Sequence, residues 1–218
     1  MKVLVIAAHP DDEVIGCGGA IAKHVESGDI VDLLILTQIY SPEWNIGETE
    51  GRKNEALASA KVLGINEVYF GGLPTVKINT VPTITLTKTI GDAVKKCGPN
   101  VIYVPPKGDV NADHDLIHKA SLVACRPFLQ TGLRQVLAYE IFYTTYLNHD
   151  AQGFRPNVFI DISDTFAKKI SAMKCYKLEL REYPHPRSQE GIEISSRERG
   201  LFIGTKYAEA FSLVFERH

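Results

Sequence analysis

Short runs of branched apolar residues recur through the first two thirds of the chain: Val3 to Ala8, "IVDLLILT" (30–37), "EVYF" (67–70), "NVIYVPP" (100–106) and "QVLAYEI" (135–141). The first is apolar at every position, which is the pattern of a strand covered on both faces. Between the runs lie segments of helix-forming composition. The first spacer carries Ile21, Ala22 and Val25 before Gly28. The second, "RKNEALASAKVLG", sets Ala56, Leu57, Ala60 and Leu63 at helical spacing and stops at Gly64. A third opens at Pro82 and ends near Gly98, and a fourth runs from His114 through Ala124. This alternation predicts an α/β fold: a mostly parallel, Rossmann-like sheet with helices on both faces, a three-layer sandwich.

In such sheets ligands bind outside the carboxyl ends of the strands, so the loops after strands one, two and four are where chemistry is expected. The segments richest in acid and histidine, 9–13 and 109–115, follow strands one and four. Beyond residue 140 the pattern weakens: "NVFIDIS" (157–163) reads as a strand, 164–181 as helical, and "EYPHPRSQEG" as a polar loop. With no repeat, low-complexity tract or linker, residues 1–218 read as one domain.

Composition narrows the function classes. The 24 basic and 26 acidic side chains leave a net charge of -2, without the basic field a nucleic-acid partner would require. Cys17, Cys97, Cys125 and Cys175 form no C-x-x-C pair and read as reduced thiols. No stretch reaches transmembrane length, and the apolar start is too short for a signal-peptide core, so the cytoplasm is the expected location.

The stretch "AAHPDDEVIGCGG" (7–19) crowds a histidine, three consecutive acids and three glycines onto the end of strand one. His9 and Asp12, three residues apart at a strand-to-helix turn, can face one point and form half a metal site, with Asp11 directed elsewhere. Helix capping explains one acid there but not three. A zinc site with an open position takes three protein ligands. "DVNADHD" (109–115) supplies Asp113, His114 and Asp115, of which His114 is the choice. Asp11 is then placed to act as general base. Gly16, Gly18 and Gly19 do not match G-x-G-x-x-G, so they point to close packing of the first helix rather than to a dinucleotide.

These residues carry a resemblance. "AHPDDEVIGCGG", "RKNEALASAKVLG", "GDVNADHD" and the closing "YAEAF" resemble the PIG-L/LmbE-like zinc de-N-acetylases over nearly the whole chain. The resemblance implies one zinc ion per chain on His9, Asp12 and His114, with Asp11 as base, although iron or manganese would also accept these ligands. It implies hydrolysis of the acetamide of an N-acetylated sugar conjugate of N-acetylglucosamine type, and a homo-oligomer, trimer or hexamer. A substrate-binding role follows for Arg52, set against a plain ion pair with Glu55. Where many members have histidine this chain has Asn111, which can contact substrate but cannot pass a proton. His185, in the proline-flanked loop, is the remaining candidate for a catalytic histidine, with Arg187 beside it as a substrate contact. His118 reads as a neighbour of the site or as surface, while His24, His149 and His218 have no supporting company. The alternatives are a zinc amidohydrolase acting on a non-sugar acylated small molecule and a nucleotide-sugar binding module without turnover. An intact Asp11 argues against the second.

Overall fold

The computed structural model describes residues 1–45, 47–147 and 154–218; His149 lies outside the described residues. Strands β1 (Lys2–Ala7), β2 (Ile30–Gln38), β3 (Glu67–Pro74), β4 (Val101–Val104), β5 (Gln135–Tyr139), β6 (Val158–Asp161) and β7 (Ala208–Glu216) form one sheet in the order β3-β2-β1-β4-β5-β7-β6. Strands β1 to β5 run parallel, whereas β7 is antiparallel to both β5 and β6. The expected mostly parallel α/β sheet is the one observed. Its strand order reverses at the β1/β4 junction, where the acid- and histidine-rich loops meet.

The helices are α1 (Asp12–Glu26), α2 (Glu48–Leu63), α3 (Thr83–Cys97), α4 (Ala112–Ala124), α5 (Phe142–Thr145), α6 (Phe166–Met173) and α7 (Gln189–Ile203), with a 3-10 turn at Ile78–Thr80. Strand β1 divides its side chains between two cores. Val3, Val5 and Ala7 pack on the face that also holds Val14, Ile21, Leu63 and Met173, while Leu4 and Ile6, with Ala8 just past the strand, face Ile90, Val94 and Ile117. All of these side chains are buried, which explains the run without polar alternation. Gly64 ends α2 and Gly98 ends α3, each at a positive φ that a Cβ would disfavour.

Several boundaries differ from expectation. α2 begins at Glu48, which shortens the loop before Arg52. Of 164–181 only Phe166–Met173 is α-helical, because the chain then turns to bury Tyr176. β3 continues past "EVYF" through Gly71, where a Cβ would lie 2.8 Å from the Leu36 carbonyl oxygen. β7 carries no clean alternation of apolar and polar residues, since the charged Glu209 is buried along with Ala208, Ala210 and Phe211.

That glutamate repairs a break in α1. The helix leaves helical geometry at Cys17 (φ -149°). The freed amides of Gly19 and Ala20 each donate to the Glu209 carboxylate at 2.8 Å. Lys169 Nζ donates to the freed Ile15 carbonyl at 2.8 Å and to Glu209 at 2.6 Å. The kink lets the glycines do what their pattern foretold. A Cβ on Gly16 would meet the Tyr139 ring at 2.3 Å, and one on Gly19 would meet Ile162 at 2.7 Å. The N-terminal half of α1, which carries Asp12 and Glu13, is thereby pressed against the sheet.

Candidate metal centre and active-site cavity

At the end of β1 the backbone reverses at Asp11, whose φ of 108° is rare for a residue with a side chain. The reversal sends His9 and Asp12 to one side and Asp11 to another. α4 starts on the neighbouring strand end, its N-terminus capped by Asn111, whose Oδ1 accepts the Asp113 amide at 3.0 Å. His114 then sits in the first turn of α4. The result is a triangle of donor atoms: His9 Nδ1 lies 3.2 Å from Asp12 Oδ2 and 3.2 Å from His114 Nε2, and the last two are 3.3 Å apart.

This triangle fits a metal ion. Ligand distances of about 2.0–2.2 Å around one ion separate neighbouring donors by about 3.0–3.5 Å, and two imidazoles with one carboxylate are a zinc-type donor set. No other cluster of three metal-ligating side chains stands out among the described residues. Each imidazole also has a carboxylate behind it: His9 Nε2 lies 3.1 Å from Asp113 Oδ2, and His114 Nδ1 lies 3.2 Å from Asp109 Oδ2. Such outer carboxylates orient histidine ligands. Asp109 is itself held by the hydroxyls of Thr144, at 2.7 Å, and Thr145, at 3.2 Å. Asp113 accepts the backbone amides of Val76, at 2.6 Å, and Ile78, at 3.3 Å.

Titration follows from this packing. Burial alone would lower both imidazoles, but the facing carboxylates outweigh it: Asp12 and Asp113 hold His9 at about 10, and Asp12 with Asp109 holds His114 at about 9. The two imidazoles in turn keep Asp12 well below the usual carboxylate range, against the effect of its burial. Asp11 is pushed well above that range by burial and by the charges of Asp12 and Glu179, with Arg187 opposing. Burial raises Glu13 to about 7. This third acid of the motif accepts the Tyr176 hydroxyl at 2.6 Å and the Asp11 amide at 3.3 Å, so it braces the turn from behind.

A cavity of about 450 Å³ opens over the triangle. His9, Asp11, Asp12, Asn111, His114, Arg52 and Arg187 all line it. His185 does not. It is exposed outside the cavity, with Nδ1 accepting the Arg187 amide at 3.0 Å, and the turn it makes presents Arg187 to the cavity instead. Arg187 Nη1 reaches within 3.2 Å of Asp11 Oδ2. Arg52 pairs with Glu179 rather than Glu55, whose carboxylate takes the Lys177 amide at 3.2 Å. His118 is buried against the Pro105 carbonyl oxygen at 2.8 Å. His24 has company after all, bridging Asp29 at 2.7 Å and the Tyr103 hydroxyl at 2.9 Å, away from the cavity. Sequence reasoning missed Asp109 and Glu179. Only Asp109 carried a signal, as the first acid of "DVNADHD".

A mostly parallel sheet with a His-Asp-His cluster at its switch point defines the class: an α/β enzyme with a candidate metal centre at the strand ends. Among solved structures, the conserved protein TT1542 from Thermus thermophilus shares the fold, with a TM-score of 0.81 at 22% identity, covering 100% of this chain and 96% of that one. The family model described as GlcNAc-PI de-N-acetylase (PIG-L) matches residues 4–125, and the chain belongs to this family. The diacetylchitobiose deacetylase of Thermococcus kodakarensis is 26% identical over 98% of this chain and 83% of its own length. The 4-oxalmesaconate hydratase of Pseudomonas putida is 28% identical over 99% of this chain and 90% of its own length. No helix among the described residues is long and apolar enough to cross a membrane.

Proposed function

We propose that the protein is a zinc-dependent de-N-acetylase that hydrolyses the acetamide of an N-acetylglucosamine-type conjugate to acetate and a free amine, acting in the cytoplasm. The observation that carries this reading is the donor triangle of His9, Asp12 and His114 with the Asp11 carboxylate beside it on the cavity wall, in a chain of the PIG-L family. The deacetylase from Thermococcus supports the reaction type.

His9, Asp12 and His114 would hold the ion, which when bound supplies Lewis acidity toward a carbonyl and acidifies water. Asp11 does the proton work. Arg187 engages its Oδ2, which leaves Oδ1 to take the proton of the attacking water. With His185 outside the cavity and Asn111 unable to pass a proton, Asp11 returns that proton to the departing nitrogen. Asn111, Arg52 and Arg187 orient the substrate. The stoichiometry is one water consumed for one acetate and one protonated amine released.

The test is acetate release from a panel of N-acetylglucosamine conjugates, with and without a chelator, for wild type and Asp11→Asn. Chelation should abolish release, and Asp11→Asn should lower turnover by about 10²–10⁴-fold while metal content is kept. Wild-type turnover by Asp11→Asn, or indifference to the chelator, overturns the reading. A second reading, addition of water to an unsaturated polycarboxylate by the same base, draws on the likeness to the Pseudomonas hydratase.

A further inference from the structure

One wall of the cavity is built from charges that cancel. Arg52 on α2 and Arg187 in the loop before α7 grip a single carboxylate, Glu179: one oxygen takes Arg52 Nη1 and the other takes Arg187 Nη1 at 2.6 Å. Arg187 Nη1 also reaches Asp11 Oδ2 at 3.2 Å. The series Arg52, Glu179, Arg187, Asp11 therefore carries two formal positive and two formal negative charges. Two other cations, Lys53 and Arg181, also line the cavity. Lys53 Nζ lies 5.7 Å above the Phe70 ring, and Arg181 Nη1 donates to the carbonyls of Leu178 and Leu180 at 2.6 and 3.3 Å.

What the wall lacks is hydrogen-bond partners. Arg52 Nε, Arg187 Nε and, one helical turn before Arg52, Thr49 Oγ1 are buried with none. A buried donor left unpaired costs roughly 1–3 kcal/mol. Thr49, Arg52 and Arg187 line the cavity, where a ligand can bring acceptor oxygens without charge to their side chains. A ligand that brings a carboxylate or phosphate adds a further negative charge beside Glu179 and Asp11, which discriminates against it.

We propose that Glu179 is a specificity-determining residue: by neutralising Arg52 and Arg187 it makes the cavity take uncharged, hydroxyl-bearing N-acyl substrates and reject carboxylated or phosphorylated ones. The substrate class rests on the deacetylation reading above; the charge logic of the wall does not.

The experiment pairs two variants whose effects must have opposite signs. The metal-loaded wild type, Glu179→Gln and Arg52→Gln proteins are titrated calorimetrically with tricarballylate, and kcat/KM is measured on N-acetylglucosamine and on its carboxylated analogue N-acetylmuramate. Glu179→Gln should bind tricarballylate at least tenfold more tightly than wild type, and Arg52→Gln should bind it at least tenfold more weakly. Wild type should prefer N-acetylglucosamine over N-acetylmuramate, and Glu179→Gln should lower that preference tenfold or more. Unchanged tricarballylate affinity in both variants, shifts of the same sign, or a wild-type preference for N-acetylmuramate overturns the proposal. If Glu179→Gln does not fold, the wild-type preference between N-acetylglucosamine and N-acetylmuramate decides it. If wild type hydrolyses neither acetamide, the deacetylation reading falls, and the tricarballylate affinities still decide the role of Glu179.

Discussion

Asp113 Oδ2 sits 3.1 Å from His9 Nε2, on the side of the imidazole opposite the donor triangle, and the same carboxylate gathers the backbone amides of Val76 and Ile78. Asp109 lies behind His114 in a comparable place, 3.2 Å from Nδ1, as a charge contact rather than an aligned hydrogen bond. The two carboxylates therefore choose which nitrogen of each ring faces the metal centre. Asp113→Asn and Asp109→Asn should each weaken metal binding by about 10–100-fold without removing a ligand. Competition with a chromogenic chelator measures this, and an unchanged affinity in both variants would mean that the rings are oriented by packing alone.

Metal affinity should rise with pH. In the metal-free protein the carboxylates hold His9 and His114 protonated up to about 10 and about 9, and an ion must displace those protons to bind. Below about pH 9 two protons are released and the affinity should gain about a hundredfold per pH unit, falling to about tenfold between about 9 and 10. The stability of the metal-free protein runs the other way. Both imidazoles gain proton affinity on folding, so their contribution is full below the unfolded value of 6.5 and is lost as pH rises through about 9 and 10. Melting of the chelated protein across pH 6 to 10 reads this directly.

Lys169 and Glu209 form a buried ion pair at 2.6 Å whose other bonds satisfy the backbone freed at the α1 kink. Lys169→Met leaves the glutamate charge buried and without its partner, and should cost about 3–5 kcal/mol in urea unfolding. A loss under about 1 kcal/mol would show that the kink is held by packing rather than by this clasp.

The glycines of the first motif are steric, and a third glycine provides the contrast. Gly19→Ala drives a Cβ to 2.7 Å from Ile162, and Gly16→Ala drives one to 2.3 Å from the ring of Tyr139, whose hydroxyl is tied to the Ile6 carbonyl. Each should destabilise the protein by about 1–3 kcal/mol. Gly91→Ala in the middle of α3 meets nothing within 4 Å and should stabilise by roughly 0.5–1 kcal/mol. Equal effects at the three positions in denaturant melts would remove the close-approach argument.

The sequence by itself determined the parallel core of the sheet and which residues of the first motif gather at its end, because both are local: a strand buried on two faces must be apolar throughout, and His9, Asp11 and Asp12 share one turn. The choice of His114 needed only the rule that strand ends of such a sheet converge. What the tertiary structure alone decided lies between segments far apart in the chain. Asp109 and Asp113 act on histidines that the β1/β4 junction brings to them, and Glu179 gains its meaning from Arg52, 127 positions away. Glu209 is only one letter of "YAEAF" until the kink of α1 exposes the amides that its buried carboxylate satisfies. His185 and Arg187 differ by two residues in one loop, and the turn between them put the arginine in the cavity and the histidine in solvent. Spacing along the chain fixes which groups share a turn or a strand, but which distant charges meet is set by packing, where an unpaired buried group costs more than any local preference can supply.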